Sequence, residues 1–444
     1  MSISNTNLSL KNKPIRYIYL WLCVVTWLAV SCVFAEEYSL HDLCRIALQR
    51  SEKIKISEEN LYIATLGRGK ALSLLMPKFS TFGGYTRYSG NKRNDGGVLL
   101  QPDEAVSWGL RLDESLSTSG RELTALDISQ KDIIKNNYNL YAAKEDYLLN
   151  VALAYYDVLR AVKSLDIAKA NLERLTKYRD AAQKRLKVGE VTQTVLLRAD
   201  GELSGAKYDY VKAKNTGELA RTILARIVGI PSDFQLKETP FIDVDVPVVS
   251  FLKQNALLMR ADLKSSEMQK QISQDHVKFS KGSYWPSLSL AGVYVSTDQS
   301  PPSQTLNRDS IYGGLSMSFP IFEGGLRIVE VKEARARERQ SALFYDDLKK
   351  TIEVEVQSAY LDTMTQKEVL KFLNDQLSFA KANYYAVSRQ FEFGLSESIE
   401  VMDANTLLVS SEKRLADAVY NYQVSLMKMK KATGNLLASL REGS

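Results

Sequence analysis

Residues 311–325, IYGGLSMSFPIFEGG, combine the end of a predicted β-strand with the start of a very long predicted helix. The first part alternates large apolar residues with small or polar ones, which is the period of a strand whose two faces differ. The apolar face carries Ile311, Leu315, Met317, Phe319 and Ile321. Pro320 is the last proline of the chain, and proline breaks helices. The sequence beyond Gly325 is therefore open to helices far longer than average.

A heptad pattern fills this proline-free region. Its two apolar rows are Val356, Leu370, Leu377, Tyr384 and Phe391, and Ile352, Ala359, Leu373, Ala380 and Val387. Residues 122–187 carry a similar pattern, and alternating spacings of four and three residues are typical of a coiled-coil seam. A helix over residues 122–187 would span roughly 100 Å at about 1.5 Å per residue.

The chain contains two copies of one unit, related by offsets of 209 and then 205 residues. Equivalent positions include the pairs Pro77 and Pro286, Tyr85 and Tyr294, Gly109 and Gly314, and Gly189 and Gly394. We predict two repeats, at residues 36–240 and 241–444. Each repeat reads as helix, strand, loop, strand, very long helix and second helix.

We expect four strands in the whole chain, at residues 78–88, 106–113, 287–297 and 311–321. Ser39 is a suitable N-cap for a first helix that runs towards Leu75. The second helices are expected to end at Val228 and Thr433. They should return antiparallel to the long helices, because the turns at the two glycines, Gly189 and Gly394, are short.

Residues 1–35 predict a secretory signal peptide. A basic segment that ends at Arg16 precedes the apolar residues 17–34, and Ala35 is a small residue suited to cleavage. Two alternatives remain open, namely a lipoprotein signal with Cys32 acylated and an uncleaved membrane anchor. Cleavage would leave Cys44 as the single cysteine, which excludes an intramolecular disulfide.

Composition excludes several classes of function. The chain is 45% hydrophobic and 25% charged, which is typical of globular proteins. Its 58 Lys and Arg residues nearly balance 52 Asp and Glu residues without a basic stripe, so we expect no nucleic-acid partner. The two histidines, His41 and His276, are far apart, and no P-loop, nucleotide fingerprint, metal cluster or serine elbow is present. We therefore predict no catalytic, cofactor-binding or metal site, and no enzyme.

The predicted strands favour a membrane-embedded assembly. After the signal segment, no run of roughly 18 apolar residues is available for a transmembrane helix. Four strands with an apolar outer face leave open edges that cannot stand in lipid, and the smallest membrane barrels have eight strands. Three chains would supply twelve strands. The small and polar face, which would line a wet lumen, carries Ser107, Arg111, Asp113, Ser316 and Ser318. The alternative is a soluble exported coiled-coil protein whose strands form a small sheet.

The chain resembles the TolC-type outer-membrane efflux protein family over nearly all of its mature length. Residues 38–40 with Ala47-Leu48 resemble the first helix of the family, and residues 319–325 resemble its strand-to-helix junction. Residues 188–189 and 393–394 resemble the two hairpin tips, and residues 401–404 resemble the helix beyond the second tip. The order of these motifs, the duplication and the lengths carry the resemblance together.

The resemblance implies a mixed α/β membrane protein that forms a homotrimer. Its four strands per chain would build a twelve-stranded outer-membrane β-barrel, continued by a long antiparallel α-helical coiled-coil barrel in the periplasm. It also implies a periplasmic adaptor that docks at the tunnel end and an inner-membrane pump, either proton-driven or of the ABC class. In that family the tunnel is closed by helix coiling at its tip and opens like an iris.

The resemblance also implies the functional residues. The tips that would contact the adaptor comprise Arg185, Val188, Gly189, Glu190, Phe391, Gly394, Leu395 and Ser396. Glu400 and Asp403 lie three residues apart on one helix face and match an acidic constriction, where three chains would bring six carboxylates around one axis. Such a ring would favour cations. Val195 and Ser396 depart from the family pattern, which places an aspartate and a basic residue there, so we assign no closing links.

The expected function is an export duct for small toxic solutes in a tripartite pump. The same duct in type I protein secretion is the close alternative, because the cargo is selected upstream of the duct. An exported structural coiled-coil protein is the more distant one.

Overall fold

The computed structural model describes residues 37–238, 245–303 and 306–441. The predicted signal peptide and Cys32 lie outside the described residues. The first unit contains β1 (Glu37–Tyr38), α1 (Leu40–Arg50), α2 (Glu52–Ser73), β2 (Lys78–Arg87), β3 (Lys92–Arg93), β4 (Leu99–Gln101), β5 (Glu104–Ser117), α3 (Arg121–Lys187) and α4 (Gln193–Val228). The first unit ends with β6 (Gln235–Leu236), which pairs with β1. The second unit contains α5 (Val249–Met259), α6 (Ala261–Lys281), β7 (Ser287–Ser300), β8 (Asp309–Ser318), α7 (Leu326–Glu392), α8 (Ser398–Ala432) and α9 (Leu436–Arg441).

The order of the elements confirms the duplication, and each unit contains one long helical hairpin. The helices α3 and α7 each have 67 residues, or roughly 100 Å of helix. Both begin after a glycine in the left-handed region, Gly120 with φ 70° and Gly325 with φ 86°. These two glycines are equivalent at the offset of 205. The long helices therefore start at equivalent glycines, although three residues separate β5 from α3 and seven separate β8 from α7.

The first helix of each unit is interrupted, which corrects our expectation of one helix from Ser39 towards Leu75. The chain leaves the helical conformation at Ser51 (φ −63°, ψ 124°), whose hydroxyl accepts a hydrogen bond from the backbone N–H of Ile54 at 3.4 Å. Arg260 interrupts the second unit with nearly the same angles, φ −61° and ψ 124°. Ser51 caps the second segment in the way that serine caps a helix start, which the hydrophobic pattern does not reveal.

Four strands form one antiparallel sheet in the order β2-β5-β7-β8. Our strand over residues 311–321 was too long, since β8 ends at Ser318, just before Phe319 and Pro320. The connection between β2 and β5, which we expected to be a loop, contains the small ladder β3–β4. The outer strands β2 and β8 are edges in the single chain.

The sheet has two chemically different faces. Register places Leu110 of β5 opposite Tyr294 of β7, which in turn lies opposite Ile311 of β8. This apolar face is uncovered, and Ile311 and Leu315 are 83% and 73% exposed. The opposite face carries polar groups, including Arg111, whose Nε donates to both carboxylate oxygens of Asp113 at 2.9 and 2.7 Å. An exposed apolar face of this size indicates that another hydrophobic phase or partner covers it.

The main hydrophobic core lies where the first helices meet the long hairpins. It contains Leu43, Leu148, Tyr155, Tyr156 and Leu224, all almost fully buried. Burial keeps the thiol of Cys44 protonated by raising its pKa to about 12. Cys44 is therefore a free thiol buried in the core.

An arginine lies at the end of each returning helix. In the first unit, Nη1 of Arg50 donates to the carbonyl of Gly229 at 2.8 Å. In the second unit, the buried Arg260 donates to Asp262 and Glu355, and it lies against the backbone of Gly434. The two helix breaks thus serve to place a cation at the C-terminal ends of α4 and α8, where the helix dipole favours positive charge.

None of the helices in the described ranges contains an apolar segment long enough to traverse a bilayer.

Candidate functional site at the hairpin tips

The first tip joins α3 to α4 and is closed by a left-handed glycine. Gly189 has φ 78°, a conformation in which a side chain would be strained. The N–H of Glu190 donates to the carbonyl of Arg185 at 2.9 Å, which completes a common form of helix C-cap. Val188 follows the last helical residue and is 70% exposed. The tip therefore presents an apolar side chain directly beside its turn.

The second tip repeats this geometry between α7 and α8. Gly394 has φ 72°, and the N–H of Leu395 donates to the carbonyl of Gln390 at 2.8 Å. These residues are equivalent to those of the first tip at the offset of 205. Phe393 and Leu395 are each 79% exposed. Together, the two tips leave three apolar side chains exposed, Val188 in the first tip and Phe393 and Leu395 in the second.

Arg185 crosses from the first tip to the second. Its Nη1 donates to the carbonyl of Phe391 at 2.8 Å, and its Nη2 donates to the carbonyl of Glu392 at 2.6 Å. The guanidinium lies 4.8 Å from the centroid of the Phe391 ring. Its Nε lies 3.7 Å from Oε2 of Glu190, on the first tip itself. The side chain therefore caps the end of α7 and bridges both tips of one chain.

The tips rest on a small hydrophobic cluster between the two hairpins. Its buried members are Leu175, Ala206, Phe391, Val401 and Met402. The ring of Tyr178 lies 5.4 Å from that of Phe391, and its hydroxyl shares a 2.5 Å hydrogen bond with Ser398. Burial raises the pKa of Tyr178, so its hydroxyl remains protonated. The last apolar residue of the heptad row, Phe391, is thus a packing residue.

A polar ladder continues the contact between α3 and α8 away from the tips. Arg174 donates to Asn405 at 3.2 Å and to Glu412 at 3.3 Å. The amide of Asn405 also donates to Asn171 at 2.9 Å. These buried or half-buried groups satisfy one another, so the seam has a defined register.

The predicted acidic pair lies at the start of α8, and its two members have different surroundings. Oε2 of Glu400 accepts hydrogen bonds from the hydroxyl of Ser396 at 2.6 Å and from the N–H of Glu397 at 3.2 Å. These donors hold the pKa of Glu400 below its ordinary value, with the Ser396 hydroxyl as the larger cause. Asp403 is exposed, and no side-chain hydrogen bond or ion pair is found for it within the described part of the chain.

Most of the predicted tip residues lie close together in the structure, but some are exposed to solvent and others are buried or paired. Val188 and Leu395 are open to solvent, whereas Phe391 is buried and Arg185 is directed across to the second tip. Val195 lies half-buried after the first turn. Phe393 belongs to the predicted second tip but was not among the residues expected to contact the adaptor, because it stands between the heptad row and the glycine. A signal was present, since it is the aromatic residue directly before Gly394.

The described ranges contain no group of three or more His, Cys, Asp or Glu side chains that could hold a metal ion. A groove of about 1000 Å³ runs along α3 and α4, lined by alanines and by paired charges such as Arg160 and Asp209.

The chain matches the family model described as "Outer membrane efflux protein" twice, over residues 43–230 and 252–435. The two matches correspond to the two structural repeats.

Individual relatives and solved structures agree with this family match. The chain is 26% identical over 386 residues to "Outer membrane protein TolC" of Escherichia coli (strain K12), covering 83% of this chain and 76% of the relative. It is 24% identical over 361 residues to "Cation efflux system protein CusC" of the same strain, covering 78% and 76%. The crystal structure of the Campylobacter jejuni CmeC outer membrane channel matches the fold with a TM-score of 0.80 at 19% identity, covering 98% of this chain and 94% of that one.

Proposed function

Since this chain belongs to the outer membrane efflux protein family, we propose that it is the outer-membrane exit duct of a tripartite pump that exports small toxic molecules. The chain is an outer-membrane efflux channel and not an enzyme. The proposal concerns the assembly, the partners and the cargo. The observation that carries it is the pair of matching tips, which leave the apolar residues Val188, Phe393 and Leu395 exposed in the described part of the chain.

The functional unit of the proposal is a homotrimer. Both edges of the four-stranded sheet, β2 and β8, are open in the single chain, and its apolar face is exposed. Three chains would join these edges into a closed barrel of twelve strands, which removes unpaired edges and turns the apolar face to lipid. The face with Arg111 and Asp113 would then line the lumen.

The helical hairpins would extend the duct through the periplasm. Each spans roughly 100 Å, and the tips lie at the far end from the sheet. Cleavage of the signal peptide after Ala35, or acylation of Cys32, stays a prediction.

A periplasmic adaptor is the proposed partner at the tips. Exposed apolar groups beside polar turns mark a protein-interaction surface. A helical hairpin of the adaptor, with an apolar end, would cover Val188, Phe393 and Leu395. The energy for export would come from the inner-membrane pump, because the sequence carries no P-loop or nucleotide fingerprint.

Glu400 and Asp403 are proposed to form the selective constriction. Three copies would place six carboxylates around the axis, and negative rings of this kind favour cations. The hydrogen bond from Ser396 to Glu400 supports an ionised Glu400 carboxylate at neutral pH.

The test is affinity purification of the tagged full-length protein from membranes, with identification of co-purifying proteins. We expect an adaptor and an inner-membrane pump in the wild type, and loss of both in Leu395→Asp. Glu368→Gln changes an exposed residue of α7 away from the tips and should retain both partners. Absence of an adaptor from wild-type preparations would contradict the proposal.

The same experiment separates the proposed cargo class from type I protein secretion. An ABC transporter with a secreted protein would indicate the secretion duct, whereas a proton-driven pump would indicate small-molecule efflux. Increased sensitivity to toxic solutes after deletion of the gene would support efflux further.

A further inference from the structure

We propose that Arg185 is a positioning residue that couples the two tips of one chain, so that they present a single docking surface. The residue was expected to touch the adaptor. The structure instead directs its guanidinium to the backbone of the second tip, where it makes two hydrogen bonds and a ring contact. The coupling of the tips stands independently, and only its consequence for docking rests on the proposed function.

The C-terminal end of a helix leaves carbonyl groups without partners inside the helix. At the end of α7, the carbonyls of Arg389, Gln390 and Phe391 receive backbone N–H groups from the turn itself. The carbonyl of Glu392 receives Nη2 of Arg185, and that of Phe391 accepts Nη1 as a second donor. The cap of α7 is therefore completed by a side chain from the other hairpin.

An arginine is well suited to this capping position. A guanidinium presents parallel donors in a rigid fork, which fits two successive carbonyls, and it stacks on an aromatic face. Arg185 uses both properties at once, since its fork meets residues 391 and 392 while its plane lies over Phe391. A lysine could supply the charge that the helix dipole favours, but not the paired donors.

The two repeats differ at the position of this arginine. At the offset of 205, the residue equivalent to Arg185 is Gln390, whose carbonyl serves the turn of the second tip. The second tip therefore returns no equivalent arginine to the first tip. Nε of Arg185 lies 3.7 Å from Oε2 of Glu190 on the first tip. The guanidinium is therefore held by the first tip on one side and caps the end of α7 on the other. The first tip thus positions the second.

The contact between Arg185 and Glu392 lies next to the exposed apolar residues of both tips. Phe393 follows the capped carbonyl of Glu392 directly, and Leu395 follows two residues later. Val188 lies one helical turn beyond Arg185. Fixing Glu392 relative to Arg185 therefore fixes the apolar residues of both tips relative to each other. An adaptor that binds both tips would otherwise have to order the second tip at a cost in affinity.

The test is amide hydrogen exchange of the purified full-length protein in the absence of adaptor. In Arg185→Ala, we expect the backbone amides of residues 389–397 to exchange about tenfold faster or more. A change of this size is expected because the variant loses hydrogen bonds from a charged donor. Arg185→Lys should give a smaller increase, because one ammonium cannot replace the fork. Lys184→Ala removes a neighbouring exposed charge and should leave this segment unchanged.

A binding measurement with the adaptor separates coupling from direct contact. If Arg185→Ala weakens adaptor binding while exchange in residues 389–397 stays at the wild-type rate, the residue is a contact and the proposal is wrong. Equal acceleration in Arg185→Ala and Lys184→Ala would also overturn it. Faster exchange in the adaptor-free protein supports the coupling even if no adaptor is the partner.

Discussion

The hydroxyl of Ser396 donates to Oε2 of Glu400 at 2.6 Å, across the start of α8. This contact gives a polar role to a position where the family pattern places a basic residue. The same oxygen accepts the N–H of Glu397, so Glu400 braces the turn that follows Gly394. Its charge is thereby tied to the geometry of the second tip.

Glu400→Ala combined with Asp403→Ala should raise single-channel conductance or lower cation selectivity in planar bilayers. The reason is that the double substitution removes six carboxylates from the proposed constriction of the trimer. Glu392→Gln, which removes a charge before Gly394, serves as the matched control. Recordings that are the same for the double variant and the wild type would contradict the assignment.

The pH at which cation selectivity is lost should depend on the hydrogen bond from Ser396 to Glu400. This bond and the N–H of Glu397 lower the pKa of Glu400, so its charge is kept to a lower pH than it would be without them and is lost as pH falls through the folded pKa. Ser396→Ala removes the main cause of the depression. We expect the pH at which selectivity is half lost to move upwards in this variant, measured as reversal potential against pH. An unchanged midpoint would show that Glu400 does not set the selectivity.

The sequence was sufficient for the long helices, because their cause is local and repeated: no proline between residues 325 and 444, and apolar residues every three or four positions. It was insufficient at Ser51, where a single capping hydroxyl decides between one helix and two. The contact between Arg185 and Glu392 could not be predicted at all. The residues are 207 positions apart, and only the packing of two hairpins brings them together.

Asp275→Asn should lower the free energy of unfolding by about 1–3 kcal/mol. The carboxylate is buried, 2% exposed, between Lys131 of α3 and Lys278, whose Nζ lies 2.7 Å away. The two lysines hold its pKa below the ordinary value, against the effect of burial. Its stabilisation is therefore present above the unfolded pKa, near 3.9, and is lost as pH falls through the folded pKa.

Thermal unfolding in detergent between pH 3 and 7 checks this prediction. Asp132→Asn removes a carboxylate that pairs with Lys135 at 2.7 Å in a more exposed setting on the same helix as Lys131. It should cost less than about 0.5 kcal/mol, because exposed pairs contribute little. Equal losses in the two variants would show that the buried contact between α3 and α6 has no special role.

Gly434→Ala should destabilise the protein more than Gly229→Ala, although the two glycines are equivalent in the repeats. Both have positive φ, 71° and 77°, so each substitution carries a strain of about 1–2 kcal/mol. At Gly434 an added Cβ would also lie 3.0 Å from the backbone nitrogen of Arg260, whereas at Gly229 the nearest atom is Cβ of Arg50 at 3.6 Å. Backbone cannot move aside as a side chain can. Unfolding midpoints measured side by side check the order, and a larger loss at Gly229 would contradict it.

Leu315→Arg should strongly reduce the yield of assembled protein in the outer membrane, whereas Ser316→Arg should not. The two residues are neighbours on β8, but the register places Leu315 opposite Leu290 on the apolar face and Ser316 opposite Ser289 on the polar face. In the proposed barrel, the first arginine would face lipid at a cost of about 2–4 kcal/mol if it lies near the membrane midplane. The second would face water in the lumen and change conductance instead. The measurement is the amount of a heat-modifiable trimer band in membrane fractions, together with bilayer recordings of Ser316→Arg. Equal trimer yields for the two variants would show that the apolar face of the sheet does not meet lipid.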